Sequence, residues 1–395
     1  MAVTGLEDIV AGQTSVSTID GKRGVLTYRG ISIHEMADNS SFEETIFLLW
    51  YGHLPQAKEL ESFKHTVAQE TILEPQVATW LKSLPKTANP MSLLRTGVSL
   101  LGLADADEGC SVSPEAWKDG FRYMGQLTPG AAGYGRDHAA ARKAIRLMGR
   151  MTALVPAIQR VMQGKELVTP APGRSIAFNF LRCLSGTDPD AASEGMFDKC
   201  LILHADHEFN ASTFTARVAA STLSDLHSAV VAAIGALKGP LHGGANTEVM
   251  HMLLEVGEPA KAKAWVKDAL EKKKKIMGFG HRMYKTEDPR ATHLRRMSES
   301  LCTKVGKPQW YEMSKLIEEA MWELKAIKPN VDFYSASTYY CMGIDPEMFT
   351  PIFALSRLSG WTAHVLEQQA HNRLIRPVGE YVGPQEAHWV AMDQR

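Results

Sequence analysis

Apolar residues recur at three- and four-residue spacing along most of this chain, the period of a helix that buries one face. The pattern is plain in SEGMFDKCLILHADHE (193–208), RVAASTLSDLHSAVVAAIGALKG (217–239), AKAWVKDALEKKKKIMG (262–278) and QWYEMSKLIEEAMWELKAI (309–327). In SFEETIFLLWYGHLP (41–55), Ser41 stands as an N-cap with Glu44 three places on, the capping-box spacing, and Pro55 is expected to stop the helix. Strand-like alternation is confined to about Thr14–Tyr28, where TSVSTIDGKRGVLTYRG predicts a hairpin turning at Asp20-Gly21. No fixed-period repeat and no low-complexity tract is visible. The expected fold class is therefore all-α, with a small N-terminal β-hairpin.

Composition narrows the class. The chain has 395 residues, of which 45% are hydrophobic and 22% charged, the balance of a globular enzyme with ample core. A formal net charge of -1 gives no reason to expect nucleic acid as a partner. The five cysteines, Cys110, Cys183, Cys200, Cys302 and Cys341, stand singly without a CxxC pair, so a reducing compartment fits. The opening stretch MAVTGLEDIVAGQTSVSTIDG lacks the basic region and apolar core of a secretory signal, and the run AVVAAIGAL from Ala229 is too short to cross a bilayer. A cytoplasmic location is the expectation.

Four stretches interrupt the helical pattern with Gly, Pro and polar residues: HADHEFNAST (204–213), GPLHGGAN (239–246), GFGHRMYKTEDPR (278–290) and PNVDFYS (329–335). Each carries a histidine or carboxylate at a helix end or loop, where functional groups concentrate. Together they suggest one site built from His207, His242, His281 and Asp332. Each also has a plainer reading. His242 alone reads as a satisfied loop residue, Asp332 as the cap of a helix beginning near Phe333, and the Lys272–Lys275 run as a solvated face. His204 and His207, one turn apart, admit a metal site with Asp206 and Glu208, although HADHE is not an HExxH motif. GPLHGG is not a P-loop, since no G-K-[ST] follows its glycines.

Taken together and in order, these stretches resemble the citrate synthase family, which includes 2-methylcitrate synthase. The motifs that carry the resemblance are DHEFNASTFTAR, KGPLHGGAN, IMGFGHRMY, DPRA, NVDFYS and FALSRLSGWTAHVLEQ. The likeness extends from GLEDIVAGQTSVS and YRGISI to LIRPVGEYVGP, essentially the whole chain. It implies a homodimer of all-α subunits, with residues 1–222 and 337–395 as a large domain and 223–336 as a smaller mobile one. By position, His242, His281 and Asp332 match the catalytic residues: His242 holds the thioester carbonyl, His281 the keto oxygen, and Asp332 is the base. His207, Arg290, Arg357 and Arg376 match the oxaloacetate-binding positions, Arg376 coming from the partner subunit. Lys275, Ile276, Met277, Gly278 and Phe279 match a CoA-binding segment, with Lys285 and Lys325 as further phosphate candidates.

On this resemblance the substrates are acetyl-CoA and oxaloacetate, with propionyl-CoA as the alternative acyl donor. No metal and no cofactor is implied, CoA thioester being a substrate. The chemistry suits the residue types. A thioester methyl is so weak an acid that a carboxylate needs a donor on the carbonyl oxygen as the enolate forms. Two substrate carboxylates call for forked, permanently charged partners. The thin Gly243-Gly244 backbone is expected to make room for the thioester. Two competing readings remain: a metal-dependent hydrolase using His204, Asp206, His207 and Glu208, and a relative that only binds CoA. The chain departs from the family in two places. Asn89 in ANPMSLLRTG stands where His-Pro-Met is frequent, and ADADEGCSVSPEAWKDG (104–120) reads as a variable surface turn.

Overall fold

A computed structural model describes residues 4–6, 9–103, 105 and 136–395. The segment 104–120 lies outside the described residues apart from Asp105. Among the described residues the chain is helical except for one small sheet. Strands β1 (Ser17–Asp20), β2 (Val25–Tyr28) and β3 (Ile31–Ser32) form an antiparallel meander, with Ser17 opposite Tyr28 and Asp20 opposite Val25. The predicted hairpin is thus present, and a short third strand extends it.

The first five helices are α1 (Ile33–Asn39), α2 (Phe42–Tyr51), α3 (Ala57–Gln69), α4 (Pro75–Lys82) and α5 (Pro90–Leu103). Next come α6 (Arg136–Met162), α7 (Ile176–Ser185), α8 (Ala191–His204), α9 (Ala211–Ser221) and α10 (Leu226–Leu237). The remainder are α11 (Ala245–Val256), α12 (Ala262–Glu271), α13 (Pro289–Lys304), α14 (Gln309–Lys325), α15 (Val331–Cys341) and α16 (Phe349–Ala370). Several boundaries differ from the sequence pattern; the run 262–278, for one, is helical only to Glu271. The apolar run 217–239 is two helices: Asp225 caps α10 by accepting from the Ser228 N–H at 3.0 Å, and Leu223 turns through φ 65°. A capping Asp inside an apolar pattern ends one helix and starts the next. In α2, Ser41 accepts from the Glu44 N–H as expected, but Gly52 (φ 80°) closes the helix before Pro55 is reached.

Helix α16 is the axis of the core. Nearly all of its residues are buried, and it packs against α2, α6, α8, α9 and α10. A helix buried on every side belongs at the centre of a large fold. Its hydroxyls bond to helix carbonyls, Thr362 to Leu358 O at 2.7 Å and Ser356 to Leu201 O at 2.5 Å, so little polarity is left unmet. Gly360 lets α16 touch the turn after α8: its N–H donates to Ala205 O at 3.1 Å, and a Cβ there would lie 2.2 Å from Asp206 Oδ1. Helices α11–α15 form a second packed group, with α15 against α11, α13 and α14 and α12 against α14, while α10 packs on α5, α9 and α16.

Three side features bear on the sequence reading. Asn89 accepts from the Ser92 N–H at 3.1 Å at the start of α5, so here it serves as a helix cap. Cys302 and Cys341 are free thiols that meet across α13 and α15 at 3.2 Å. Among the described residues no helix is long and apolar enough to cross a membrane.

Candidate active site

The site residues stand at helix ends that converge. Asp288 and Pro289 begin α13, an N-cap followed by proline at the first helical position. The Asp288 carboxylate forks onto Arg290, with Nε at 2.9 Å and Nη2 at 2.8 Å, and also accepts the Val331 N–H at 3.1 Å. Asp288 therefore holds Arg290 and the start of α15 together. Asn330, the residue before α15, accepts from the Asp332 N–H at 3.0 Å and donates to Gly280 O at 2.9 Å. The cap of α15 is thus Asn330, and the carboxylate of Asp332 is left for other work. That removes the plainer reading of Asp332 as a cap.

The loop before His281 is zipped to the residues before α15. Gly280 N–H donates to Lys328 O at 3.0 Å and Asn330 N–H to Gly278 O at 2.9 Å. Gly278 turns through φ 81°, and a Cβ on it would meet Val249 at 2.7 Å, so glycine is required on both counts. In the other glycine loop, Gly243 is needed for a reason internal to the protein. A Cβ there would lie 2.3 Å from Leu237 O at the end of α10. The expectation that the Gly-Gly pair makes room for a ligand is corrected for Gly243; only Gly244 is open, with nothing within 4 Å of its Cβ position.

Backbone donors fix the tautomers of two imidazoles. An amide N–H can only donate, so a ring nitrogen that meets one must be unprotonated. Nε2 of His242 accepts from the Ser212 N–H at 3.2 Å and lies 2.8 Å from Ser212 Oγ, itself held by Trp361 Nε1–H at 3.0 Å. The proton of His242 is therefore on Nδ1. Nδ1 of His281 accepts from the Met283 and Tyr284 N–H groups at 3.0 and 3.3 Å, so its proton is on Nε2. In each ring the N–H that remains has no partner among the described residues.

Electrostatics joins these groups into one cluster. Burial lowers His242 to about 4, with Arg357 acting in the same direction. Burial also lowers His281 to about 4, helped by Arg290. His207 lies well below its ordinary value through burial, then Arg290, His281, Arg357 and His242. All three are neutral at pH 7. Burial raises the Asp332 carboxyl to about 6, against the pull of Arg290 and Arg357. Arg357 is fully enclosed, with Nε–H on His204 O at 2.8 Å and its guanidinium over the Phe353 ring; burial lowers it to about 10, still a cation at pH 7.

The sequence-predicted residues thus fall into two sets. His207, His242, His281, Arg290, Asp332 and Arg357 come together. Arg376 lies exposed in the extended segment after α16 and pairs with none of them. In the 275–279 segment, Ile276 and Gly278 are buried, Phe279 packs on Phe333, Met277 is half-buried, and Lys275 faces solvent. Lys272 is tied to Asp268 and Lys274 to Glu255, both at 2.8 Å, whereas Lys275, Lys285 and Lys325 have no acidic partner among the described residues. Lys285 lines a groove of about 640 Å³ between the hairpin and the 283–285 loop; none of the clustered site residues borders it. The candidate metal set does not converge: His204 Nδ1 bonds to Cys200 O, Asp206 to Ser17 and His364, and the Glu208 carboxylate bonds to none of them among the described residues. Sequence reasoning missed Asp288, Asn330, Ser212 and Tyr284. The Asp-Pro pair opening a helical run was a readable cap signal for the first.

Comparison with known proteins agrees with the geometry. Residues 5–378 match the family profile described as "Citrate synthase, C-terminal domain". "Citrate synthase 2" of Bacillus subtilis (strain 168) is 49% identical over 100% of this chain and 99% of its own. "2-Methylcitrate synthase 1" of Corynebacterium glutamicum is 38% identical, covering 99% of this chain and 98% of its own. Among solved structures, the ternary complex of Thermoplasma acidophilum citrate synthase with carboxymethyl coenzyme A and oxaloacetate superposes with TM-score 0.86 at 33% identity, over 99% of this chain and 98% of that one.

The raised Asp332 carboxyl has a consequence for stability. Its native value of about 6 lies above the ordinary 3.8 of an aspartate in an unfolded chain, so the native state binds protons more readily between those values. Stability is then lost as pH rises from about 4 to about 6. Asp332→Asn removes the buried charge and is expected to stabilise the protein by about 1–3 kcal/mol at pH 7–8, with no gain below about pH 4. Urea denaturation at several pH values measures this; a gain independent of pH contradicts the assignment.

Proposed function

This chain belongs to the citrate synthase family, and we propose that it condenses acetyl-CoA with oxaloacetate and hydrolyses citryl-CoA to citrate and CoA. The observation that carries the reading is the pair of neutral imidazoles, each with one N–H left over, beside a carboxylate raised to about 6. Asp332 takes a proton from the acetyl methyl group while His242 Nδ1–H donates to the thioester oxygen, so charge builds on an oxygen already hydrogen-bonded. A neutral imidazole is the apt donor, because an imidazolium would hold the enolate as a stable ion pair. The enol carbon forms its bond to the keto carbon of oxaloacetate as His281 Nε2–H donates to the new alkoxide. Water then cleaves the thioester and releases CoA.

His207, Arg290 and Arg357 bind oxaloacetate in this reading. The fork between Arg290 and Asp288 fixes that guanidinium and leaves its other N–H groups for a substrate carboxylate. Arg376 is supplied by a second copy of the chain in a homodimer. The segment that carries it leaves Leu374, Val378, Tyr381, Val382, Trp389 and Met392 exposed, more apolar surface than a lone tail keeps in water. We place the moving lobe within 223–336 and its hinge after α10, at Gly239-Pro240, since α10 itself packs on α5, α9 and α16. Closure of that lobe excludes water from the enolate. Lys275, Lys285 and Lys325 are the cations available to the CoA phosphates, with Ile276, Met277, Gly278 and Phe279 shaping the loop beside them. A cytoplasmic location accords with the four described cysteines, all free thiols. The alternative, propionyl-CoA as acyl donor, is kept because one methylene in an apolar pocket shifts specificity by only ~1–3 kcal/mol. The higher identity to a citrate synthase favours acetyl-CoA.

The deciding measurement is kcat/KM for each thioester with oxaloacetate. Acetyl-CoA is expected to lead by at least about tenfold, and a lead for propionyl-CoA makes the enzyme a 2-methylcitrate synthase. With the preferred thioester, the acid limb of kcat/KM should fall near pH 6, where Asp332 gains its proton, and Asp332→Asn should lower kcat by at least ~10²-fold.

Subunit mixing tests the shared site. Inactive His242→Ala and Arg376→Ala chains, once exchanged, should regain part of the activity, because some mixed dimers hold one complete site. No recovery despite demonstrated exchange places both residues in the same chain's site.

The lysine run separates by its pairing. Lys275→Ala is expected to raise KM for acetyl-CoA several-fold at low salt, with the penalty fading as ionic strength rises. Lys272→Ala, whose ammonium is already tied to Asp268, should do less. Equal effects of the two reduce the run to a solvated face.

A further inference from the structure

Tyr284 sits at a place the proposed mechanism does not use. It is buried, two residues beyond the loop arginine Arg282, and its side chain and its backbone reach different histidines. The backbone N–H donates to Nδ1 of His281 at 3.3 Å. The phenol oxygen lies 3.1 Å from Nε2 of His207. The three rings form one cluster, with centroids 5.0 Å apart for His207 and His281, 5.6 Å for His207 and Tyr284, and 4.7 Å for His281 and Tyr284.

The direction of the phenol contact follows from what each atom can do. If His207 Nε2–H donated to the phenol, the phenol hydrogen would be buried with no acceptor among the described residues, a costly arrangement. If the phenol donates, its hydrogen is used, Nε2 is the acceptor, and the proton of His207 sits on Nδ1. Nδ1 has no protein partner among the described residues. We propose that Tyr284 is a positioning residue that sets the tautomers of two imidazoles at once, His281 through its backbone N–H and His207 through its hydroxyl, so that both present an N–H to oxaloacetate. This rests on the reading of His207 as an oxaloacetate contact.

Tyr284 also joins the two packed groups of helices. His207 hangs from the turn between α8 and α9, while His281 belongs to the loop zipped to the start of α15. The 283–285 loop is braced from the other side by the hairpin. Lys285 N–H donates to Gly21 O at 2.8 Å, and a Cβ on Gly21 would lie 2.0 Å from Met283 O. The hairpin tip presses on the backbone that aims Tyr284, so the phenol is held from both sides.

Two measurements test this. The first is side-chain ¹⁵N NMR of histidine-labelled, substrate-free enzyme. Nε2 of His207 is expected to resonate as an unprotonated nitrogen in the wild type and to move toward a mixture of tautomers in Tyr284→Phe, while His281 stays unchanged. A wild-type spectrum with His207 protonated at Nε2 overturns the proposal whatever the substrate is. The second is a double-mutant cycle on oxaloacetate affinity by calorimetry, using Tyr284→Phe, His207→Ala and the pair. Tyr284→Phe should weaken binding about tenfold in the wild-type background and by no more than about twofold when His207 is alanine, because its effect passes through that ring. Equal penalties in both backgrounds make Tyr284 a packing residue and overturn the proposal, as does no penalty at all. If His207→Ala alone leaves oxaloacetate binding intact, the reading of His207 as a substrate contact fails, and the NMR result still decides the tautomer.

Discussion

The arrangement of this site depends on one buried carboxylate. Asp288 caps α13, forks onto Arg290 and accepts the first N–H of α15, which brings a cation and the chain carrying Asp332 to one point. Burial works against the charge of Asp288, but Arg290 outweighs it and holds the carboxyl below its usual range. A buried ion pair is poor evidence of stability, because desolvation offsets most of the attraction. Its value here is geometric. The guanidinium is held in one orientation before any ligand arrives, and the next aspartate along the chain, Asp332, is left without a cap to make because Asn330 takes that role.

The same burial that makes Asp288 useful sets the chemistry of the histidines. Three imidazoles crowd around two guanidinium groups, and any of them that took a proton would add a cation to a closed space. They stay neutral, and a neutral imidazole has one N–H and one lone pair. Backbone amides take up the lone pairs of His242 and His281, which cannot be reversed by a change in protonation, since an amide never accepts at nitrogen. The donors are thereby pointed by the fold and not by the substrate, the preorganisation that makes hydrogen bonds to a developing oxyanion effective. Asp332 is affected in the opposite sense: burial makes its carboxylate a stronger base than a solvated one, at a cost to stability.

The fold was legible wherever one period ran unbroken, and less so where polarity punctuated it. Helices such as α14 follow directly from their apolar spacing, while the break between α9 and α10 hides behind continuous apolar periodicity, because a single polar residue such as Asp225 also fits the polar face of an unbroken helix. The site was legible as motifs: six of its predicted residues meet. What sequence could not supply was direction. Nothing in GPLHGG shows that Gly243 is there for Leu237 O, a contact within the turn itself. Nothing in NVDFYS shows that Asn330 takes the capping role from Asp332. Nothing in HRMYK shows that a tyrosine 77 positions from His207 reaches its ring. Lys275 differs from Lys272 only once Asp268 is seen to occupy the latter.

The placement of these groups also explains why the site is divided. His207, His242 and Arg357 are fixed to α8, α9 and α16, the last of them the buried axis of the core. His281, Arg290 and Asp332 are fixed to one another through Asp288, Asn330 and the zipped loop, on the side of α13 and α15. Each half is tied within itself by hydrogen bonds to backbone groups. Between the halves the polar links seen at the site are the Tyr284–His207 contact and, across the proposed hinge at Gly239-Pro240, the bonds from Ser212 to His242, with the hairpin tip bracing one side. Charge makes that division sensible. Arg290 comes from one half and Arg357 from the other, and both lower His207, while Arg357 acts on His242 and Arg290 on His281. Drawing them together without an anion between them is electrostatically unfavourable. A dianion placed between the two halves removes that repulsion, so on the proposed reading it is oxaloacetate, with its two carboxylates, that favours their approach.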